Sequence, residues 1–176
     1  MTEHEIDRIY RLSSDKIRDV SNRRKRFCFD EVDWKDRLIS IKGPRGVGKT
    51  TLLLQKVAAS GETLEEALYL SLDSIWLDAK DVYELAEYHV QHGGRRLVLD
   101  EVHYMQDWHR LVKNLNDDMK ELKIAYTGSS LMKLKARDGD LSRRQAEYFI
   151  PGLSFREFLN FEGLLEHTAL TLEDIL

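Results

Sequence analysis

Residues 38–55 read LISIKGPRGVGKTTLLLQ, and the fixed positions of a G-x-x-x-x-G-K-[ST] pattern fall on Gly43, Gly48, Lys49 and Thr50. Glycines at that spacing let backbone N–H groups converge on an anion with no Cβ in the way. Pro44, Arg45, Gly46 and Val47 make up the rest of the loop. A helix starting at its end adds free N–H groups and a positive dipole end. The implied chemistry is polyphosphate binding, with the Lys49 ammonium on the β- and γ-phosphates, the Thr50 hydroxyl on Mg2+, and Thr51 beside the nucleotide.

A phosphate cradle alone binds without reacting. RLVLDE, residues 96–101, supplies the missing group: Asp100 is a candidate for the Mg2+ shell, and Glu101 for taking a proton from an attacking water. Both acids end an apolar run, and open α/β sheets bind their ligands at the carboxyl ends of strands.

These residues need a scaffold. The spacing of Ile6, Ile9, Tyr10 and Leu12 predicts a helix over 3–12, with Ser13, Ser14 and Asp15 able to cap a second one; residues 1–35 read as a helical lead-in. Strands are expected at 38–42, 67–72, 96–99 and 122–127, with a short fifth at 148–150, and helices at 50–59, 78–92 and 108–119. That alternation predicts an α/β fold whose parallel sheet is covered on both faces. Residues 133–145, KLKARDGDLSRRQ, are polar and suggest a mobile surface loop.

A length of 176 residues suits one such domain, expected over 36–160, and is too short for two of ordinary size. Residues 161–176 read as the opening of a further helical region. With 42% hydrophobic and 33% charged residues, disordered and fibrous classes are excluded. The single cysteine, Cys28, excludes an internal disulfide and a thiolate metal cage, and is expected to be a small, partly buried apolar residue. No apolar run reaches membrane-spanning length and MTEHEIDRIY does not resemble a signal peptide, so a cytoplasmic protein without a membrane partner is expected. A net charge of −4 gives no global argument for a polyanion partner.

An acidic strand separated from the cradle strand by another strand, with Glu101 next to the metal aspartate, resembles the additional-strand branch of three-layer αβα P-loop nucleotide hydrolases. That resemblance implies the sheet order 5-1-4-3-2. It also implies a polar sensor of the γ-phosphate or the water at the end of the fourth strand, for which Ser129 is the first candidate and Ser130 the second. Positive charge brought to the γ-phosphate, often from a neighbouring subunit, would come from Arg143 or Arg144.

GPRGVGKTTLLLQ, LDEVHYMQDWHRLVKNL, YTGSSLMKL and PGLSFREFL occur in an order that is similar to a family of prokaryotic AAA-type predicted ATPases, over residues 38–159. The resemblance implies ATP as the nucleotide, hydrolysis to ADP and phosphate coupled to conformational change or assembly, and self-association. Members are usually longer, with a carboxy-terminal portion that includes a winged-helix-like segment, so this chain would be the ATPase half and a protein or DNA partner would act through the remainder. By position Arg144 matches the family arginine, although Leu141, Ser142 and Arg143 replace the usual L-x-G before it. Gly152 is an addition where P-L-S-F is more usual, and a bend is expected there. A nucleotide-gated protein- or DNA-binding sensor with little turnover is the alternative, and a small-molecule kinase a weaker one.

Other residues have plainer expectations. Trp108 is expected to fix the helix after the acidic strand against the sheet. Phe155 and Phe158 are expected to pack inward with Arg156 and Glu157 outside. His103 and His109 have no partners at ligand spacing. The run Arg23, Arg24, Lys25, Arg26 is either a solvated helix face or a contact for nucleic-acid phosphates.

Overall fold

The computed structural model describes residues 1–20, 24–73, 77–129, 141 and 143–164, and of Ser129 the backbone only. Ser130 and most of the expected loop at 133–145 lie outside the described residues, as do Arg23 and residues 165–176.

Five strands, β1 (Leu38–Gly43), β2 (Ala67–Ser71), β3 (Arg96–Asp100), β4 (Lys123–Ser129) and β5 (Ala146–Phe149), form one sheet in the order β2-β3-β4-β1-β5 with every pairing parallel. This is the expected 5-1-4-3-2 order of the α/β P-loop fold, read from the other edge. The helices are α1 (Glu3–Val20), α2 (Lys49–Ala59), α3 (Ala79–Gln91), α4 (Trp108–Asp118) and α5 (Phe155–Glu162). Because helices cover both faces, β1 and β3 are buried at every position, their polar Ser40, Lys42, Arg96 and Asp100 included.

The sheet separates two apolar clusters. On one face Leu68, Leu70, Leu97, Leu99, Ile124 and Tyr126 meet α3 and α4. On the other, Ile39, Ile41, Tyr69, Val98 and Ala125 meet α2 and the end of α1. Trp108, at the start of α4, packs its ring 5.4 Å from that of Tyr126, the packing role expected of it. Cys28 sits among apolar neighbours, more fully buried than expected.

Three expectations are corrected. Ser13 to Asp15 do not begin a second helix, because α1 runs unbroken to Val20 with Ile17 and Val20 continuing its buried stripe. Ser13 instead turns its hydroxyl outward from the helix and accepts the Tyr69 N–H at 2.8 Å, satisfying a donor on the free edge of β2. Phe155 and Phe158 are exposed, 75% and 47%, while Glu157 is buried. The cause is Arg26, which grips the Glu157 carboxylate while Glu157 also closes the capping box of α5 on the Ser154 N–H and hydroxyl, so Glu157 takes the buried face and the phenylalanines face out. Arg26 of the basic run is likewise buried, held by Glu157, and residues 24–26 are not helical.

Candidate functional site

The loop between β1 and α2 owes its shape to glycines used in two ways. Gly46 and Gly48 adopt φ of 82° and 89°, the left-handed region that other residues enter at a cost, and a Cβ on either would meet open space. Gly43 is needed for a different reason: a Cβ there would stand 2.4 Å from the Ile150 carbonyl oxygen, just past β5. Gly48 is the N-cap of α2 and, as a glycine, brings no side chain of its own to the free N–H groups of the first turn. Pro44, Arg45 and Gly46 are exposed, and Thr51 is half-buried in the first turn. Lys49 is 5% exposed, and its ammonium donates to the Gly43 and Pro44 carbonyls at 3.2 and 2.9 Å.

Asp100 gathers three hydroxyls from three elements. Thr50 of α2 donates to Oδ2 at 2.8 Å, Tyr69 of β2 to the same oxygen at 2.9 Å, and Thr127 of β4 to Oδ1. Strand register explains the meeting. Tyr69 pairs with Val98, and Val98 with Ala125, so the alternation of side chains puts Tyr69, Asp100 and Thr127 on the face that α2 covers. Burial and then the neighbouring Asp100 carboxylate raise the Tyr69 phenol far above its ordinary pKa, which keeps it a donor.

Glu101 follows in a left-handed conformation, φ 55° and ψ 46°. A non-glycine residue there costs on the order of 1–2 kcal/mol. Thr127 offsets this by accepting the Glu101 N–H at 2.8 Å, and the Glu101 carbonyl accepts the Tyr104 N–H at 3.1 Å. The Glu101 carboxylate lies 3.1 Å from His103 Nδ1.

The donors suit a hydrated divalent cation beside a polyphosphate. A hydroxyl and a carboxylate oxygen are the hard ligands Mg2+ takes, and Thr50 and Asp100 present them side by side next to the glycine loop. Gly43, Lys49, Thr50, Asp100 and Glu101 thus form one constellation at the carboxyl ends of β1 and β3. The backbone of Ser129 is adjacent, since Ser129 pairs with Gly43. Arg144 is not brought in: it pairs with Asp117 near the end of α4 and precedes Ala146, which pairs with Ile39 at the start of β1. The loop opens at the other end of β1, roughly 15 Å along the strand.

Tyr69, Thr127 and His103 were not singled out from sequence. Thr127 carried a signal in KIAYTGS, because a polar side chain at the carboxyl end of an inner strand has a reason to be there. Tyr69 and His103 carried none, because their roles depend on register and on a turn of 3-10 helix over Val102–Tyr104.

A family model described as an AAA domain matches residues 35–159. An uncharacterized protein of Methanocaldococcus jannaschii is 35% identical over 84% of this chain and 36% of its own length. An uncharacterized protein of Haemophilus influenzae is 31% identical over 74% of this chain and 35% of its own length. The chain therefore spans about a third of the length of these curated relatives. Among solved structures, one described as the structural basis for katanin self-assembly aligns with a TM-score of 0.47 at 17% identity, over 85% of this chain and 51% of that one. PCH-2 of C. elegans aligns at 0.46 and 14%, over 84% and 43%. With the glycine loop, the acidic strand and the strand order all inside the matched residues, the chain belongs to the AAA domain family.

Proposed function

We propose that residues 36–160 bind ATP with Mg2+ and hydrolyse it to ADP and phosphate. The observation that carries this reading is the meeting of Thr50 and Asp100 at 2.8 Å beside a loop whose glycines are left-handed. Family membership supports ATP as the nucleotide.

Backbone N–H groups of residues 46–51 hold the phosphates, and Lys49 exchanges its loop carbonyls for phosphate oxygens. Thr50 and Asp100 hold Mg2+, which when bound supplies charge neutralisation at the β- and γ-phosphate oxygens. The other two hydroxyls on Asp100 fix the rotamer of its carboxylate, and Glu101 takes the proton from the attacking water while its strained backbone is anchored on Thr127. A sensor role for Ser129 is supported by its pairing with Gly43. Arg144 lies beside the opposite ends of the strands, so it serves the site of a neighbouring copy, and the active form is self-associated. The energy released drives a conformational change or assembly in the longer protein.

The Arg144–Asp117 ion pair favours a second reading, in which this arginine stays on its own subunit and the chain is a nucleotide-gated protein- or DNA-binding module with little turnover. Phosphate release measured against protein concentration separates the two. Hydrolysis predicts turnover per molecule that rises with concentration and is lost in Glu101→Gln and Arg144→Ala; a flat, negligible rate unaffected by either substitution contradicts it.

A further inference from the structure

Arg26 uses every one of its five N–H donors. Nε and Nη2 grip the two Glu157 carboxylate oxygens at 2.9 and 3.0 Å, Nη2 also donates to the Gly152 carbonyl at 3.1 Å, and Nη1 donates to the Pro151 carbonyl at 3.0 Å and the Val47 carbonyl at 2.9 Å. Both side chains are under 10% exposed. Glu157 in turn accepts the Phe27 N–H and closes the capping box of α5 with Ser154. Val47 lies between the two left-handed glycines of the loop. A side chain from the lead-in thus ties the loop to α5, and Arg24 adds to the strut by donating to the Asn160 carbonyl while its own carbonyl accepts from Gln55 of α2.

The Val47 contact has a stereochemical consequence. In a planar trans peptide the C=O and the following N–H point in opposite directions. Holding the Val47 carbonyl toward Arg26 therefore turns the Gly48 N–H away from Arg26.

We propose that Arg26 is a positioning residue that orients the Val47–Gly48 peptide for phosphate and couples the loop to the start of α5, a coupling that rests on residues 43–51 being the phosphate cradle. Nucleotide on the loop stabilises the peptide orientation that Arg26 holds, so it also tightens the Arg26–Glu157 grip and the first turn of α5. By reciprocity, whatever moves α5 changes nucleotide affinity by the same factor. The bidentate fork is what lysine cannot reproduce, although it keeps the charge.

Amide hydrogen exchange on the 176-residue chain tests this, with Arg26→Lys and Glu157→Gln beside the wild type. Without nucleotide, each variant should speed exchange at both 46–50 and 154–159, about tenfold or more, while the β3 and β4 amides keep their protection and report a folded domain. With ATP and Mg2+ at saturation, amides 154–159 of the wild type should slow, and those of Arg26→Lys should not respond even where its loop amides are protected. Loosening confined to the mutated end, or an equal α5 response in Arg26→Lys, would overturn the coupling. Failure of nucleotide to protect the wild-type loop at all would instead sink the ATP reading and the phosphate-orienting role with it, while the ligand-free comparison still decides whether the two ends are joined.

Discussion

The Thr50 hydroxyl donates to the Asp100 carboxylate at 2.8 Å across a separation of 50 residues in the chain. One group stands in the first turn of α2 and the other at the last residue of β3, and neither is adjacent to the other's strand, since β4 lies between β1 and β3. The contact exists because β3 sits next to β4 and β4 next to β1, which brings the acidic strand end beside the helix that follows the loop. The proposed metal site is therefore a product of strand order.

Thr127 holds both acids, donating to Asp100 and accepting the Glu101 N–H in a fully buried position. Thr127→Val keeps the shape and leaves that N–H and a carboxylate oxygen short of a partner, so stability should fall by about 1–3 kcal/mol. Thr127→Ser should recover most of it, as read by the urea midpoint of unfolding. Equal midpoints for valine and serine would contradict this role.

Glu101 holds a left-handed backbone that its proposed role does not require. Glu101→Asn, with a residue that tolerates the left-handed region, should raise Tm by a few degrees while removing phosphate release. A lowered Tm would show that the Glu101 side chain stabilises the turn more than its backbone strains it.

The glycines of the loop should respond differently to alanine. Gly43→Ala drives a Cβ to 2.4 Å from backbone, which cannot give without shifting β5 against β1. Its thermal unfolding should fall well below that of Gly46→Ala, where space is open and only the φ of 82° is penalised, by about 1 kcal/mol. Similar losses for the two would argue that the Ile150 contact is relieved cheaply.

The Arg26–Glu157 pair predicts acid sensitivity. Burial would raise the Glu157 carboxyl, but hydrogen bonds from Arg26 and from the Ser154 and Phe27 N–H groups, with the Arg26 charge, outweigh it and lower its pKa from 4.5 to about 2. A carboxylate depressed in the folded state contributes stability that is whole above its unfolded value and is lost as pH falls toward the folded one. Between about pH 5 and pH 2 the wild-type Tm should therefore fall more steeply than that of Glu157→Gln. Parallel profiles would contradict the shift.

Much of this was legible in the residues themselves. The loop, the acidic pair and the five strands follow from GPRGVGKT, from RLVLDE and from apolar runs bounded by glycine and polar residues, because their signals are local. The failures came where a distant partner decided the outcome. Phe155 and Phe158 have helical spacing that suggests a core face, yet Glu157 is drawn inward by Arg26, 131 residues away, and takes the buried face with it. Arg26 looked like one member of a solvated basic run for the same reason. Ser13 resembled a helix cap until the free edge of β2 supplied a donor for it.

The central claim is that Thr50 and Asp100 hold a metal that completes a nucleotide site. It is tested most directly by equilibrium binding of ATP with and without Mg2+, comparing the wild type with Asp100→Asn and Thr50→Val. The account predicts ATP binding that Mg2+ strengthens in the wild type, with that Mg2+ dependence largely lost in both variants while the β3 and β4 core stays folded. Binding equally strengthened by Mg2+ in all three proteins, or no binding in the wild type, would contradict it.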